Sequence, residues 1–531
     1  GRSELVAERG PGVTSAADRI GAGLQPARPA RPIRTLERIH VVGAAGAGAS
    51  AAALLAAHAG ASVSGCDPGG PSPYTPALVE AGIALAWQHS ADHISGAPAP
   101  ERVAVTKALT AIDPDHPELQ AARAAGIELE TWQQVVADAA VGRTLVGIAG
   151  THGKSTTAGW LVHVLVAAGL DPSAFVGALL PGELTGGLPS TTRWGAGRPF
   201  VVEADEYAGN FDAYRPDIAV LTGAEWDHPD VFADEAAVVD AFIAWLRRAP
   251  DGATAVINVG DPGGAAVAQG LADSDRRVVG TQLFDGPAEG LDRAARDIAA
   301  RYETGAGAAT PIVARIVDSD PDGTTIEMLG LDPGGGPRRA RLTTAGRHNA
   351  ANALGVAAAA SALGIGGADI VSALGTFRGV GRRLERKGEA AGVVVYDDYG
   401  HHPTAIRETV LAVRQREPGR RVWAVYEPLT YHRTAALLPA FADALATADA
   451  VVVADIWAGR DPDITVASAT GLAEAVARAR PGIQAEAPGS IAATAEWLAR
   501  EVRPGDAVLV MGGGHSYQIA DTLLERLGSE D

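Results

Sequence analysis

The densest chemistry in the chain lies at Gly150-Thr151-His152-Gly153-Lys154-Ser155-Thr156-Thr157. Small residues there let backbone amides face an anion, the lysine supplies a cation for β- and γ-phosphates, and the adjacent hydroxyl suits Mg2+. The common phosphate-loop pattern has a glycine six residues before the lysine, where this chain has Ile148, so the loop is a variant. Downstream, Glu203-Ala204-Asp205-Glu206 puts three carboxylates at the end of the apolar run 200–202, and Glu225-Trp226-Asp227-His228-Pro229-Asp230 follows a second apolar run, 218–221. Mg2+ prefers oxygen ligands shared with phosphate. In one domain with the loop, these clusters therefore read as metal-binding, with His228 nearest the ion and Asp227 and Asp230 orienting it.

Other segments add pieces to a nucleotide site. Gly43-Ala44-Ala45-Gly46-Ala47-Gly48 leads into Ser50, with Asp67 after the next apolar run. Amides at such a helix start hold a diphosphate, and the acidic residue takes a ribose hydroxyl. Asn349 and Asn352 are spaced to share one helical face. Arg382 and Arg383 follow a glycine-bearing hinge and offer forked, permanently charged donors for phosphate. Asp397-Asp398-Tyr399-Gly400-His401-His402-Pro403 follows another apolar run. Adjacent histidines rarely ligate one ion and no third ligand has suitable spacing, so zinc is not expected there.

Such residues need strand ends to hold them. Short apolar runs alternate with helical patterns from residue 38, again from 144 and again from 393, which predicts three α/β units in tandem. In the second unit, Trp160, Leu161, Val164, Leu165 and Ala168 form one helical face before the stop at Gly169. Between about 278 and 341, turn signals at Asp320-Pro321-Asp322-Gly323 and Asp332-Pro333-Gly334-Gly335-Gly336 predict a meander of short strands. Residues 1–34, rich in Arg, Pro, Gly and Ala, read as a disordered leader. The domains expected are then 35–140, 141–380 and 381–531: Rossmann-like, central phosphate-loop ATPase-type α/β, and Rossmann-like again.

Composition narrows the class. With 531 residues, about three and a half domains are expected at roughly 150 residues each. Lys+Arg of 44 against Asp+Glu of 63 leaves a net charge of −19, which disfavours nucleic acid as a partner. Ala-rich stretches are interrupted well before a span of about 20 apolar residues, so no membrane segment is expected. The single Cys66 excludes a disulfide framework and a Cys-rich zinc site, and fits a cytoplasmic enzyme.

Taken in order, Gly150-Thr-His-Gly-Lys-Ser155, Glu203-Ala-Asp-Glu206, Asp227-His228, His348-Asn349-Ala-Ala-Asn352, Arg382-Arg383 and Asp397-Asp-Tyr-Gly-His-His-Pro403 resemble the Mur ligase family from about residue 38 to 526. The resemblance implies an ATP- and Mg2+-dependent, ADP-forming peptide ligase of peptidoglycan synthesis, monomeric or homodimeric. Its expected reaction joins L-alanine to the lactyl carboxylate of UDP-N-acetylmuramate through an acyl phosphate. By resemblance the UDP-sugar lies on Gly43, Gly46, Gly48, Ser50 and Asp67. The same reading gives ATP to the loop Gly150, Thr151, His152, Gly153, Lys154, Ser155 and Thr156, with Asn352, Arg383 and Asp398. Metal falls to Ser155, Glu203 and His228, and the amino acid to Tyr431, Arg433 and His401. Lys154, His348, Asn349, Arg383 and Asp398 are the catalytic candidates, and His348, Asp398 and His401 all remain open as the group that deprotonates the amine.

Several positions depart from the family pattern: Ala45 and Ala49 in the first turn, Gly223 before Asp227, Glu427 and Leu429 before Tyr431, and His515 after Gly514. The last three bear on amino-acid choice. A tripeptide-recycling ligase of the same family is the nearest alternative. An NAD-dependent dehydrogenase leaves the second glycine loop unexplained, and retention of Lys154, Glu203 and His228 argues against a non-catalytic nucleotide sensor.

Overall fold

A computed structural model describes residues 20–302, 309–459, 461 and 463–529. Each expected unit forms its own sheet. In the first, strand Arg38–Val42 lies between Ser62–Cys66 and Arg102–Val105, with Ala84–Ala86 and Glu128–Thr131 at the edges, all parallel. Near-continuous apolar runs suit strands covered by helices on both faces.

The second sheet has ten strands. Its parallel centre places Thr144–Ala149 between Ile218–Leu221 and Pro199–Glu203, so the loop after the first and the acids after the other two emerge at one edge. Helix Lys154–Ala167 follows the loop and buries Trp160, Leu161, Val164 and Leu165 as the spacing predicts, with Trp160 stacked on Phe377. Ala168 is exposed instead, because the helix ends one residue earlier and Gly169 turns the chain with a φ of 75°.

The predicted meander is present only in part. Ile312–Asp320, Gly323–Leu329 and Arg338–Leu342 pair antiparallel at the sheet edge, the first turn being the one signalled at 320–323. Arg277–Leu283, however, is a further parallel strand, and Leu291–Arg301 is a helix.

The third sheet runs Glu385–Ala390, Val393–Asp398, Asp506–Gly512, Arg421–Glu427, Ala450–Ala454 and Gln484–Gly489, antiparallel only at its first strand. Among the described residues no helix is long and apolar enough to cross a membrane.

Residues 1–19 lie outside the described residues, but 20–34 correct the expectation of a disordered leader. Gly21 N–H donates to Thr110 Oγ1 (2.7 Å) and Gln25 N–H to Leu129 O (2.8 Å). Arg28 Nη2 lies 2.7 Å from Asp138 and 3.1 Å from Glu130, and Arg31 Nη2 lies 2.6 Å from Glu37. Those three carboxylates are buried around Arg102. The segment lacks apolar bulk, yet it supplies the cations that buried carboxylates need.

Candidate active site

A cavity of about 620 Å3 opens where the three domains meet. Gly48, Trp132 and Gln133 reach it from the first domain, the loop 151–156 with Glu203, Asp205, Asp227 and His228 from the second, and Arg383, Asp398–His402 and Leu429 from the third. His348 and Asn352 line it as well.

The loop is shaped for close approach. Gly153 has a φ of 76°, and a β-carbon there would stand 2.5 Å from Asn352 Oδ1, so a side chain would be strained and would push away one of the expected nucleotide contacts. Lys154 Nζ donates to Gly150 O (2.6 Å) and to Glu206 Oε2 (3.0 Å), and lies 3.8 Å from Asp205. Burial works against the ammonium charge, but the Glu206, Asp205 and Glu203 carboxylates outweigh it and hold the Lys154 pKa above the usual range. Burial also pushes the Asp205 carboxyl up, and Lys154 and His228 outweigh that to hold it below the usual range.

Two acidic groupings stand beside this lysine. Ser155 Oγ donates to Glu203 Oε1 (3.1 Å), while Gly177 N–H donates to Glu203 Oε2 (2.7 Å). Asp205, Glu206 and His228 each bring a ligand atom to within 4.8 Å of one another. His228 has a left-handed backbone (φ 55°), and its N–H donates to Asp227 Oδ1 (2.6 Å). Strain of that kind persists where surrounding contacts enforce it. Hydroxyl and carboxylate oxygens beside a lysine fit Mg2+ with phosphate, and one imidazole does not change that preference.

Side chains of the third domain close the seam. Arg383 Nη2 donates to Ser155 Oγ (2.7 Å) and its guanidinium lies over the Tyr399 ring. Thr404 Oγ1 donates to Glu225 Oε2 (2.7 Å). Arg433 Nη2 pairs with Asp227 Oδ2, both side chains buried. Both Asp398 oxygens are occupied, accepting from Leu384 N–H (2.7 Å) and Gly400 N–H (2.6 Å).

Asn352 Nδ2 donates to Asn349 Oδ1 (3.3 Å), which places both on one face of helix Arg347–Ala362. His348 Nδ1 lies 3.7 Å from Glu408. His401 donates from Nδ1 to Tyr399 O (2.9 Å), since a carbonyl accepts only, and Nε2 therefore carries the lone pair. Burial and the Arg433 charge hold the His401 pKa well below the usual range, so the ring is neutral.

Several expected contacts are arranged differently. Within the first turn, Gly43 and Ala44 N–H donate to Cys66 O, Ala45 N–H to Asp67 Oδ2 and Gly46 N–H to Gly43 O. Asp67 thus braces the turn, and the amides left for an anion are those of the helix start at 47–49. Of that segment Gly48 borders the cavity, pressed so closely on Trp132 that a β-carbon would stand 2.2 Å from the ring. Gly43, Gly46, Ser50 and Asp67 are not lining residues, nor are Tyr431 and Arg433.

The departures sort likewise. Glu427, at the end of strand Arg421–Glu427, accepts from Ser516 N–H (2.7 Å) and so braces the turn after strand Asp506–Gly512; His515 in that turn meets the Trp457 ring edge-on, and Leu429 faces the cavity. A β-carbon at Gly223 would come within 3.2 Å of Asp261, which already accepts from Ala224 N–H (2.8 Å).

Reading the sequence alone missed Trp132, which lines the cavity, and Lys107, which lies outside it and whose Nζ donates to Ala208 and Gly209 carbonyls across the first two domains; Glu225 and His402, named in sequence only as members of their clusters, line the cavity as well. Lys107 stands two residues after strand Arg102–Val105, and that strand-end position was its available signal.

His402 gives the seam a pH dependence. Its Nε2–H donates to Trp226 O (3.2 Å) and its Nδ1 accepts from Thr404 N–H (3.3 Å), contacts that require the neutral ring. Burial, with the tilted His152 ring centred 4.4 Å away, lowers its pKa to about 4, although Asp227 and Glu225 oppose this. The folded value is depressed from about 6.5 in the unfolded chain, so its stabilisation is complete above about pH 6.5 and is lost as pH falls through about 4. Urea unfolding at stepped pH should lose about 2–3 kcal/mol across that window, and His402→Gln should remove the loss. Parallel pH profiles for the two proteins would refute it. Glu225, which burial raises but His152 and Thr404 bring down to about 2, contributes stability that is complete above about pH 4.5 and is lost only as pH falls towards about 2.

Comparison with known proteins follows the same three-part division. Family models match residues 38–144 (Mur ligase family, catalytic domain), 148–360 (Mur ligase middle domain) and 382–514 (Mur ligase, glutamate ligase domain). The chain is 38% identical over 481 residues to a UDP-N-acetylmuramate–L-alanine ligase of Kineococcus radiotolerans, covering 90% of this chain and 93% of that one. It is 34% identical over 480 residues to the same-named protein of Gloeobacter violaceus, covering 89% and 92%. Among solved structures, a UDP-N-acetylmuramate-alanine ligase of Thermotoga maritima matches with TM-score 0.71 at 22% identity, covering 93% and 100% of the two chains. A murein peptide ligase of Psychrobacter arcticus matches with TM-score 0.67 at 24% identity, covering 92% and 98%. At those identities the structural likenesses speak to the fold.

Proposed function

The chain belongs to the Mur ligase family, and on that premise we propose that it joins L-alanine to the lactyl carboxylate of UDP-N-acetylmuramate at the expense of ATP, in the cytoplasmic stage of peptidoglycan synthesis. The observation that carries this reading is the meeting of Lys154, Ser155 and Glu203 with Arg383 of the third domain, held by the Arg383–Ser155 bond of 2.7 Å. That constellation suits phosphoryl transfer.

The lactyl carboxylate oxygen attacks the γ-phosphorus, the bond to ADP breaks, and an acyl phosphate forms. The amine nitrogen then attacks the acyl carbon, and inorganic phosphate leaves. Lys154 and Arg383 offset charge on the transferring group, and the loop amides orient it. Ser155 and Glu203 would hold one Mg2+, and Asp205, Glu206 and His228 would hold a second; bound there, the metal would neutralise phosphate oxygens. Asp398, with both oxygens accepting amides, braces the Arg383 segment and is a poor proton acceptor. His401 Nε2 takes the proton as the carbon–nitrogen bond forms, when the attached nitrogen is acidic enough for a weak base. Arg433 Nε, buried without a partner among the described residues, is the donor left for the amino-acid carboxylate.

Relatives at 34–38% identity are named for L-alanine, and Tyr431 and Arg433 are retained here. Phosphate release with ATP, Mg2+ and UDP-N-acetylmuramate should therefore appear on adding L-alanine. Turnover only with L-alanyl-D-glutamyl-diaminopimelate would move the assignment to the recycling ligase, and release with neither would overturn the proposed reaction.

A further inference from the structure

A second cluster of potential ligands lies inside the first domain, apart from the cavity. His40 on strand Arg38–Val42, Cys66 at the end of Ser62–Cys66, His93 in the short helix Asp92–Ser95 and Glu118 in helix Pro117–Ala125 converge there. Each brings one ligand atom to within 4.8 Å of all the others, and His40, Cys66 and Glu118 are buried. Cys66 Sγ is 3.2 Å from both Glu118 oxygens, His93 Nδ1 is 2.8 Å from Oε1, and His40 Nε2 is 3.4 Å from Oε2. None of the four lines the active-site cavity.

Hydrogen bonding alone leaves this cluster incomplete. His40 is 2% exposed, and its Nε2, 3.4 Å from Glu118 Oε2, makes no well-aligned hydrogen bond among the described residues. A buried polar atom without a partner is uncommon enough to require an explanation. The donor set supplies one: a sulfur, two imidazole nitrogens and one carboxylate match zinc and not Mg2+ or Ca2+. A tetrahedral zinc with bonds of about 2.0–2.3 Å has ligand–ligand edges of about 3.3–3.8 Å; the spacings to Glu118, 2.8–3.4 Å, lie near that range, and all four ligand atoms lie within 4.8 Å of one another, so binding draws the histidine and cysteine side chains together. The outer contact is also present, since His40 Nδ1 is 2.9 Å from Ser64 Oγ, which orients the ring.

We propose that His40, Cys66, His93 and Glu118 form a closed, four-ligand zinc site that staples the first domain. On binding, the zinc–sulfur bond forms as the Cys66 S–H gives its proton to solvent, and each imidazole offers one ring-nitrogen lone pair beside the Glu118 carboxylate. The ion sits directly under the first glycine turn, because Cys66 O accepts from Gly43 N–H (2.8 Å) and Ala44 N–H (3.0 Å). Two paired strands and two helices are thereby tied to one point. His89, whose Nδ1 is 3.3 Å from Cys66 Sγ, is the nearest nitrogen that can replace His93.

The test uses the full chain, stripped with a chelator and titrated with Zn2+ alone, then with Co2+ as a spectroscopic substitute. One equivalent of zinc per chain is expected, with a rise in melting temperature. Cobalt should give tetrahedral visible absorption and a thiolate-to-metal charge-transfer band that disappears in Cys66→Ser. Ser64→Ala, which keeps all four ligands, should weaken zinc binding about 10–100-fold, and Glu203→Gln at the separate Mg2+ grouping should leave the stoichiometry unchanged. Absence of stoichiometric zinc would overturn the site, leaving a carboxylate–histidine hydrogen-bond network. Cobalt bound without the thiolate band, or zinc bound undiminished by Ser64→Ala, would overturn it equally.

Discussion

Lys154→Met should abolish ADP formation while leaving the protein folded. Each charged donor aimed at a transferring phosphoryl group contributes about a hundred- to a thousandfold in rate, and Lys154 is the cation of the loop itself. Its Nζ is held at the loop by the Gly150 carbonyl, 2.6 Å away, and by Glu206 Oε2, 3.0 Å away, with its third donor left for phosphate. Loss of the lysine also strands Glu206, whose carboxyl burial already pushes up. That group answers by taking a proton instead of remaining as an unpaired buried charge. The thermal midpoint should therefore move by only a few degrees while kcat falls at least about a hundredfold. An ADP-coupled assay beside a melting curve separates the two effects. Turnover at the wild-type rate would remove the phosphate-loop assignment altogether.

The second large effect is expected at the Arg433–Asp227 pair. Both side chains are almost fully buried, at 4% and 5% exposure, and they belong to different domains. Burial raises the Asp227 carboxyl, but Arg433 and the histidines around it outweigh burial and hold it well below the usual range. Truncating one partner of such a pair costs about 3–5 kcal/mol, because the other charge is left unpaired. That energy is charged to the closed arrangement of the second and third domains. Arg433→Ala should accordingly lower kcat/KM for all three substrates on the order of a hundred- to a thousandfold. A contact to the amino-acid carboxylate alone would instead raise the KM for that substrate and spare the other two. Adding Asp227→Asn to the variant should recover part of the loss, since the stranded charge is then gone. Wild-type kcat/KM in Arg433→Ala would show that the pair contributes nothing to closure.

How far the site was legible in the chain depended on whether its signal was local. The loop around Lys154, the acids at 203–206 and 225–230, and the paired asparagines 349 and 352 all follow from strand-turn-helix patterning. The structure puts the loop and both acidic clusters at one sheet edge because parallel strands share a direction, and the asparagines reach them from helix Arg347–Ala362, Asn352 lining the same cavity. Arg433 and Asp227 are each conspicuous in sequence, but their pairing joins residues 206 positions apart, and that of Arg383 with Ser155 spans 228. No periodicity encodes such a contact, which exists only when domains dock.

Composition misled at residues 20–34 for the same reason. Weighing apolar bulk omitted the three buried carboxylates, Glu37, Glu130 and Asp138, that those arginines neutralise. His40 and Cys66 likewise carried no ligand signal in sequence, since their partners His93 and Glu118 lie on two helices downstream.

By itself, then, the chain determined three α/β units, the chemistry of the loop and the strand ends that carry the acids, because strand, turn and helix preferences act over a few residues. Only the tertiary structure decided which guanidinium meets which carboxylate, that Asp67 braces its own turn, and that four scattered side chains converge beneath it. Electrostatic and ligand contacts fall off over a few ångströms in space, and chain separation carries no information about that distance until the domains have packed.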